Sequence, residues 1–171
     1  MLRTDQCGEL GEENIGESVT LAGWVTNRRD LGGLLFIDLR DRSGIIQLLF
    51  TPGRSELHED AGNLNREDVV KVNGTITERG EDNINPELDT GTIELEVEDM
   101  EVLNSADNLP LSPRDQLEVN ENTRLKYRYL DLRRDRMKNN IELRHRTFKV
   151  IRDYFDEEGF WEIETPILTK S

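Results

Sequence analysis

The first 50 residues alternate between apolar and polar positions, a pattern that predicts three β-strands. These strands span residues 18–27, 34–41 and 45–50, and the polar segment 28–33, which ends in two glycines, is predicted to be the turn between the first two. In the second strand Phe36 lies on the face opposite the core, where a large aromatic side chain is costly unless something covers it. The three strands are therefore predicted to form a meander with an aromatic residue on its outer face.

The pattern continues with a helix and two more strands. A helical spacing of apolar residues runs through 54–66, and strands are predicted at 68–79 and 91–103. Five strands with a helix between the third and fourth form the plan of the OB-fold, a small barrel that commonly binds single-stranded nucleic acid. Because many small barrels bind proteins or no ligand, this topology alone leaves nucleic-acid binding open.

The chain changes character after residue 106. Residues 107–123 are polar and contain prolines, so they are predicted to be a linker or hinge. The next segment is rich in arginine and is predicted to form a short helix in which Leu125, Tyr129 and Leu132 pack inward while the cations stay in solvent. A basic contact to RNA is the alternative interpretation of this segment.

A long helix is predicted from 137 to 158. Its apolar residues form two stripes, which together make a face wider than one small neighbour would cover. The first stripe contains Met137, Ile141, Phe148, Ile151 and Phe155, and the second contains Leu143, Val150 and Tyr154. Gly159 suits the position just past the helix end, and the residues after it are predicted to form a strand that Pro166 interrupts.

Composition narrows the class of protein. No stretch of about 18 apolar residues could span a bilayer, and the N-terminus lacks the pattern of a signal peptide, so we expect a cytoplasmic protein with no membrane partner. Cys7 is expected to be a small buried residue. With only His58 and His145 beside it, the chain offers none of the common metal frameworks, and no metal site is expected.

The net charge of −14 is unevenly distributed. Residues 1–110 contain 24 acidic and 9 basic residues, a net charge of −15, whereas residues 111–171 carry +1. Bulk electrostatics therefore argues against nucleic-acid binding by the barrel, because phosphate contacts need local cations. We hypothesise that the acidic surface is adapted to a high-salt cytosol, where screening relieves the repulsion between carboxylates.

Three stretches together resemble one family of enzymes. They are "GWVTNRRDLGGLLFIDLRDRSGIIQ" (23–47), "RLKYRYLDLRR" (124–134) and "GFWEIETPILTKS" (159–171). The chain looks like the N-terminal part of a bacterial-type aspartyl-tRNA synthetase, a class II aminoacyl-tRNA synthetase. The resemblance implies a mainly β OB-fold that binds the anticodon in 1–106, a hinge in 107–123, and the truncated α+β start of a class II catalytic domain in 124–171.

The third stretch resembles motif 1 of the class II synthetases, which forms their dimer interface. The resemblance implies that the full-length parent is a homodimer, in which a partner subunit would cover the second apolar stripe of the long helix. The positions assigned to this interface are Phe148, Ile151, Phe155, Gly159 and Pro166.

In the family the barrel reads the anticodon of the aspartate tRNA, and seven positions here match residues with that role. Phe36 matches an aromatic ring on which an anticodon base stacks, and Gln47 matches an amide that pairs with the central uracil. Glu94 matches a carboxylate that accepts hydrogen bonds from the wobble guanine. The remaining matches are three positions that touch the anticodon loop, Arg29, Leu31 and Asn83, and one basic position near its backbone, Arg79.

The residues by themselves leave other interpretations open. Glu94 alternates with two other glutamates, so composition alone favours one solvated acid in an acidic strand. Gln47 is equally explained as a surface amide, and Arg29 as a turn cation paired with Asp30.

The resemblance also implies the chemistry of the full-length parent, an ATP-dependent aspartate-tRNA ligase that uses ATP and Mg2+ to form an aspartyl-adenylate. Motifs 2 and 3, which carry that chemistry in the family, lie beyond motif 1. This chain alone is therefore expected to contain no catalytic residue, to hold no cofactor and to be inactive. Two alternatives stay open: a free-standing OB-type protein that binds single-stranded nucleic acid, and a dimerisation fragment without RNA binding.

Overall fold

The computed structural model describes residues 2–53, 55–113 and 119–168. The chain divides into two compact units, Met1–Asn108 and Leu109–Ser171, while the finer boundaries predicted at residues 106 and 123 stay predictions. The first unit contains β1 (Ser18–Leu31), β2 (Leu34–Arg40), β3 (Ile45–Phe50), α1 (Ser55–Gly62), β4 (Val69–Glu78) and β5 (Ile93–Asn104). The strands close into a barrel in the order β1-β2-β3-β5-β4, so the predicted OB-fold is confirmed.

The barrel interior is filled by the inward-facing apolar side chains of all five strands. Each fully buried Leu or Ile contributes about 1.5–3 kcal/mol relative to an exposed one, and this alternation is what the strand patterns predict. Cys7 is fully buried in the same core, as expected, and burial raises the pKa of its thiol. Its backbone N–H donates to Asp41 Oδ2 at 3.0 Å, which fixes the N-terminal segment to the end of β2.

The first strand is longer than predicted. Its backbone stays paired with β2 through Leu31, and the register places Arg29 opposite Phe36. Only Gly32 and Gly33 form the turn, with φ values of 64° and 90°, the left-handed pair that a two-residue type I′ hairpin requires. The prediction of a turn over 28–33 was wrong because three consecutive charged residues, 28–30, interrupt the apolar alternation without interrupting the backbone pairing.

The second unit contains α2 (Glu121–Lys126), α3 (Arg128–Asp131) and α4 (Asp135–Glu157). Asp131 is fully buried and accepts hydrogen bonds from Arg124 Nε at 2.9 Å and from Arg128 Nη1 at 2.5 Å. Arg134 Nη1 lies 3.9 Å from the same carboxylate. Hydrogen bonding and attraction from Arg124 lower the pKa of Asp131, with smaller contributions from the other two arginines.

This arginine cluster corrects the predicted packing of the basic segment. Leu125 and Tyr129 are exposed and Leu132 is half-buried, whereas Leu130 and Asp131 are buried. The prediction that all three of Leu125, Tyr129 and Leu132 pack inward was wrong, because the segment orders itself around a buried carboxylate rather than around an apolar stripe.

The long helix α4 ends close to the predicted residue. Gly159 has a φ of 81°, its N–H donates to the carbonyl of Asp156 at 3.0 Å, and the N–H of Phe160 donates to the carbonyl of Phe155 at 2.9 Å. This pair of bonds is the Schellman motif, in which glycine is favoured at the left-handed position. The helix has no buried residue, and both predicted stripes are exposed except at Met137, which is half-buried.

The strand predicted after Gly159 does not form. Residues 160–168 contain no regular secondary structure, and residues 169–171 lie outside the described part of the chain. A strand needs a neighbouring strand to satisfy its backbone hydrogen bonds, and none lies beside these described residues.

Candidate nucleic-acid interface

A pocket of about 270 Å³ opens on the outer surface of the barrel, where β1, β2 and β3 meet the loop between β4 and β5. Six of the seven residues assigned to the anticodon lie in its lining: Arg29, Leu31, Phe36, Gln47, Arg79 and Asn83. Ile84 and Asn85 complete it. The seventh assigned residue, Glu94, reaches the pocket through a hydrogen bond with Gln47.

Gln47 and Glu94 meet because β3 and β5 run parallel with these two residues directly paired. Gln47 Nε2 donates to Glu94 Oε2 at 2.7 Å, in a buried setting. Glu94 is 8% exposed, unlike Glu96 and Glu98, which both lie in solvent. The interpretation of Glu94 as one more solvated acid is therefore wrong.

The protonation of Glu94 is set by this environment. Burial raises the pKa of its carboxyl, because desolvation disfavours the charged form. The hydrogen bond from Gln47 and the attraction of Arg79 act in the opposite direction and offset only part of the shift. Glu94 is a partly desolvated acceptor, which strengthens any hydrogen bond that it makes with a ligand.

Arg29 connects the hairpin to the same network. Its Nη2 donates to Asp38 Oδ1 at 3.1 Å and to Gln47 Oε1 at 2.9 Å. Asp30, the partner suggested by the sequence, instead accepts a hydrogen bond from the backbone N–H of Gly33 at 3.3 Å. The interpretations of Arg29 as a turn cation paired with Asp30, and of Gln47 as a surface amide, are therefore both wrong.

The Gln47 amide keeps hydrogen-bonding capacity for a ligand. An amide has two N–H donors and two acceptor lone pairs, and the network uses one donor and one lone pair. One donor and one acceptor remain, the combination that a Watson–Crick edge of uracil would pair with.

Arg79 forms part of the wall of the pocket with an unused donor. Its side chain is only 4% exposed, and its Nε donates to the carbonyl of Ile93 at 2.8 Å. Its Nη2 is buried and has no hydrogen-bond partner within the described parts of the chain. Burial lowers the pKa of the guanidinium, while Glu94 and Asp38 counteract the shift. A buried, unpaired donor is costly, so this nitrogen is suited to an acceptor atom that a ligand supplies.

The other assigned residues differ in exposure. Phe36 lies on the outer face of β2, as its alternation predicts, but the surrounding side chains leave it only 8% exposed, and it lines the pocket from outside the barrel core. Leu31 is 62% exposed at the end of β1, and Asn83 is exposed on the short 3-10 turn Glu81–Asn83. One flat ring is thus nearly buried in the pocket wall, with exposed contact groups at the rim.

Sequence reasoning missed three residues of this site. Asp38 pairs with Arg29, and its position two residues after Phe36 on the same strand face was the available signal. Ile84 and Asn85 follow the assigned Asn83 in the loop, and nothing in their pattern distinguishes them from other loop residues.

The residues assigned to a dimer interface lie on the second unit. Phe148, Ile151 and Phe155 are each about half exposed on α4, next to the Gly159 cap, and Pro166 lies in the irregular segment after it. In the described ranges no helix is long and apolar enough to cross a membrane. The same ranges contain no group of three or more His, Cys, Asp or Glu side chains that could hold a metal ion.

Two protein families match the chain in these two units. Residues 19–103 match the OB-fold nucleic acid binding domain, and residues 120–171 match the tRNA synthetases class II (D, K and N). The chain therefore consists of a tRNA anticodon-binding OB domain followed by the start of a class II tRNA synthetase domain.

Relatives identify the branch within this class. The chain is 51% identical over 99% of its length to an aspartate–tRNA(Asp/Asn) ligase of Halothermothrix orenii and 54% identical over 99% of its length to one of Geobacillus sp.. It spans 29% of the length of each of these relatives. The resemblance to bacterial aspartyl-tRNA synthetases predicted from the sequence is confirmed.

The fold comparison agrees with this placement. An asparaginyl-tRNA synthetase from Pyrococcus horikoshii superposes with a TM-score of 0.85 at 26% identity, covering 99% of this chain and 39% of that one. The arrangement of an OB barrel followed by the first synthetase helices is therefore shared with a synthetase named for a different amino acid, so this fold alone does not distinguish the two kinds of synthetase.

Proposed function

We propose that the barrel reads the anticodon of the aspartate tRNA, and that the full-length parent attaches aspartate to that tRNA in the cytoplasm. The two relatives above are aspartate–tRNA(Asp/Asn) ligases, and their identity with this chain supports the assignment. In the full-length enzyme ATP would activate aspartate as an adenylate, with Mg2+ balancing the phosphate charge. The part of the chain described here contributes RNA recognition rather than that chemistry.

The observation that carries the proposal is the hydrogen-bonded series Arg29–Gln47–Glu94 beside the ring of Phe36. A ring beside directional donors and acceptors is the arrangement that reads an unpaired base, because the ring binds any base by stacking and the polar groups select one. Simple phosphate binding needs neither a ring nor a buried carboxylate.

Each residue takes a distinct role in this proposal. The ring of Phe36 stacks on one anticodon base, which is worth about 1–3 kcal/mol. The free donor and acceptor of Gln47 pair with the central uracil, and the Glu94 carboxylate accepts from the two donors on the edge of the wobble guanine. Arg79 Nη2 donates to an oxygen of the anticodon loop, and Arg29, Leu31 and Asn83 contact the loop at the rim.

The charges of the pocket explain how an acidic barrel binds RNA under this proposal. Arg29 is paired with Asp38, and the buried charge of Arg79 is balanced by Glu94 and Asp38. The pocket therefore offers little uncompensated positive charge, and binding has to come from stacking and base pairing. We expect a shallow salt dependence, with a slope of log K against log salt of about −1 or less in magnitude, as for release of about one counterion.

We also infer that α4 forms the homodimer interface of the parent. The two exposed apolar stripes support this, because a face of this width on a soluble protein needs a partner to cover it. Sedimentation of the full-length parent with Phe148→Asp or Ile151→Asp tests it, since a charge on this face is expected to shift the dimer towards monomer. An unchanged dimer in both variants would place the interface elsewhere.

The proposed RNA recognition is tested by salt-titrated fluorescence anisotropy with a labelled stem-loop that carries the anticodon GUC. The comparisons are a loop with the central uracil changed, the variant Phe36→Ala, and the matched variant Phe36→Tyr, which keeps an aromatic ring. We expect weaker binding for the changed loop and for Phe36→Ala, near-normal binding for Phe36→Tyr, and persistence of these differences at high salt.

The competing functions give different results in the same experiment. Equal binding to both loops would favour a general binder of single strands. No binding at any salt, together with RNA-independent self-association, would favour a dimerisation fragment. Either result would overturn the proposed anticodon recognition.

A further inference from the structure

The turn between β1 and β2 presents two residues to the pocket and contacts helix α1 as well. Leu31 is the last residue of β1, and Arg29 lies two positions before it on the same strand face. At the turn itself, the carbonyl oxygen of Gly33 lies 2.9 Å from Nε2 of His58, a half-buried residue of α1. Helix α1 thus contacts the end of the β1–β2 hairpin, which carries Arg29, Leu31 and Phe36 of the pocket.

Helix α1 is held in place by the barrel core, so it can position the turn that it contacts. Ala61 is fully buried in the barrel core, Leu57 packs against that core, and Leu64 just after the helix is buried as well. The helix is therefore held by apolar burial on one side, and His58 extends from it towards the hairpin.

A second bond joins the same helix to the hairpin. Arg28 Nη1 donates to the carbonyl of Leu64 at 3.0 Å and also to the carbonyl of Gly62. Arg28 precedes Leu31 in the chain and Gly33 follows it, so the two contacts hold the hairpin end on both sides of Leu31.

The turn has little else to hold it. A Cβ at Gly32 or at Gly33 would have no heavy atom of the described residues within 4 Å, so the space beside these two glycines is open. Beyond the ladder with β2, the local hydrogen bond from the Gly33 N–H to Asp30 Oδ1 is long, at 3.3 Å. Two consecutive glycines are also the most flexible pair that a turn can contain.

We propose that His58 is a positioning residue for RNA recognition: its hydrogen bond to the Gly33 carbonyl orients the β1–β2 turn, so that Arg29 and Leu31 meet the anticodon loop at the pocket. The inference rests on the proposed function. His58 is not among the residues that line the pocket, so it acts through the turn. The bond requires a hydrogen on Nε2, because the carbonyl can only accept.

The test compares three variants of the whole 171-residue chain. His58→Ala removes the bond, and His58→Gln keeps an N–H donor at a similar reach. Glu59→Gln is the matched control, because Glu59 is the next residue of α1 and lies in solvent. The readout is the ratio of affinities for the GUC stem-loop and for the loop with the central uracil changed, because Arg29 donates to the Gln47 amide that is proposed to pair with this uracil. A general change in charge alters both affinities alike.

Loss of one hydrogen bond is expected to lower this ratio about three- to tenfold in His58→Ala. The ratio is expected to stay within about twofold of wild type in His58→Gln and in Glu59→Gln. The urea midpoint of the barrel should be only slightly lower in His58→Ala than in wild type, because the core contacts of α1 are unchanged.

Amide hydrogen exchange across residues 30–34 tests the contact without RNA, and it should be faster only in His58→Ala. An unchanged ratio in His58→Ala overturns the inference, whether or not exchange becomes faster. If wild type itself shows no preference between the loops, both the inference and the proposed function fail. If amide exchange is nevertheless faster in His58→Ala, the contact between His58 and the turn is real and the assignment of RNA recognition is wrong.

Discussion

Replacing Glu94 with glutamine is expected to weaken RNA binding and to stabilise the barrel, two effects of opposite sign. Burial raises the pKa of the Glu94 carboxyl in the folded state, so the ionised form costs folding free energy. Stability contributed by this group is therefore highest at low pH, and it falls as the pH rises from the unfolded pKa towards the raised folded pKa. A neutral amide removes that cost and still offers an oxygen to Gln47 Nε2.

The loss in binding follows from the donors on the edge of guanine. A carboxylate accepts from both of its donors, whereas an amide presents one oxygen and one N–H group, so one contact becomes a donor facing a donor. Loss of one hydrogen bond to a charged group is worth about 2 kcal/mol, which corresponds to about a thirtyfold rise in Kd.

The matched control is Glu96→Gln, because Glu96 lies two residues along the same strand and is exposed. Anisotropy with the GUC stem-loop measures the Kd, and urea unfolding from about pH 4 to pH 8 measures the stability. The difference in unfolding free energy between Glu94→Gln and wild type should be small at the acid end and widen as the pH rises. A Glu94→Gln barrel that is less stable than Glu96→Gln at neutral pH, or one that binds the stem-loop as well as wild type, would refute the reasoning.

Three further substitutions test the pocket loop and the second unit. Gly91→Ala would bring a Cβ into overlap with the carbonyl oxygen of Asn85, a pocket residue, so we expect weaker stem-loop binding by anisotropy; unchanged affinity would show that the loop does not shape the site. Asp131→Asn should lower the thermal midpoint of the helical signal. Because the arginines lower the pKa of this carboxyl, the difference in midpoint from wild type should shrink as the pH falls through that pKa. A difference that is constant with pH would contradict the ion-pair account. Gly159→Ala places a Cβ in the left-handed region at a cost of about 1 kcal/mol. Circular dichroism should therefore show fraying of α4 and a lower thermal midpoint of the helical signal. A thermal midpoint equal to that of wild type would show that the cap does not stabilise α4.

The sequence predicts what local periodicity controls. Alternation of apolar and polar residues predicted the five strands and placed Phe36 on the outer face of β2. The 3.6-residue spacing of apolar residues predicted α4, and Gly159 predicted where that helix ends. These features depend on neighbours a few positions apart, which is the range over which strand and helix geometry act.

The recognition network depends on contacts between distant segments, and alternation does not predict them. Alternation gives Glu94 and Glu96 the same outward face, yet only Glu94 is buried, because β3 pairs with β5 and places Gln47 beside it. Asp131 is a similar case, since three arginines, two before it and one after it in the chain, converge on its buried carboxylate. The missing strand after Gly159 shows the converse, because a local pattern cannot supply a pairing partner.

The pairing of Gln47 with Glu94 also has a consequence for how the barrel acquires its activity. These residues are 47 positions apart and lie on the only parallel seam among the described strands. A slip of one residue along that seam would turn one of the two side chains towards the core, because successive residues face opposite sides of a strand. Under the proposed function, a chain with the other four strand pairs formed and this seam open would look nearly folded by spectroscopy and would not distinguish one anticodon from another. Under the proposed function, RNA discrimination therefore requires closure of the ring, which formation of the other four strand pairs does not report.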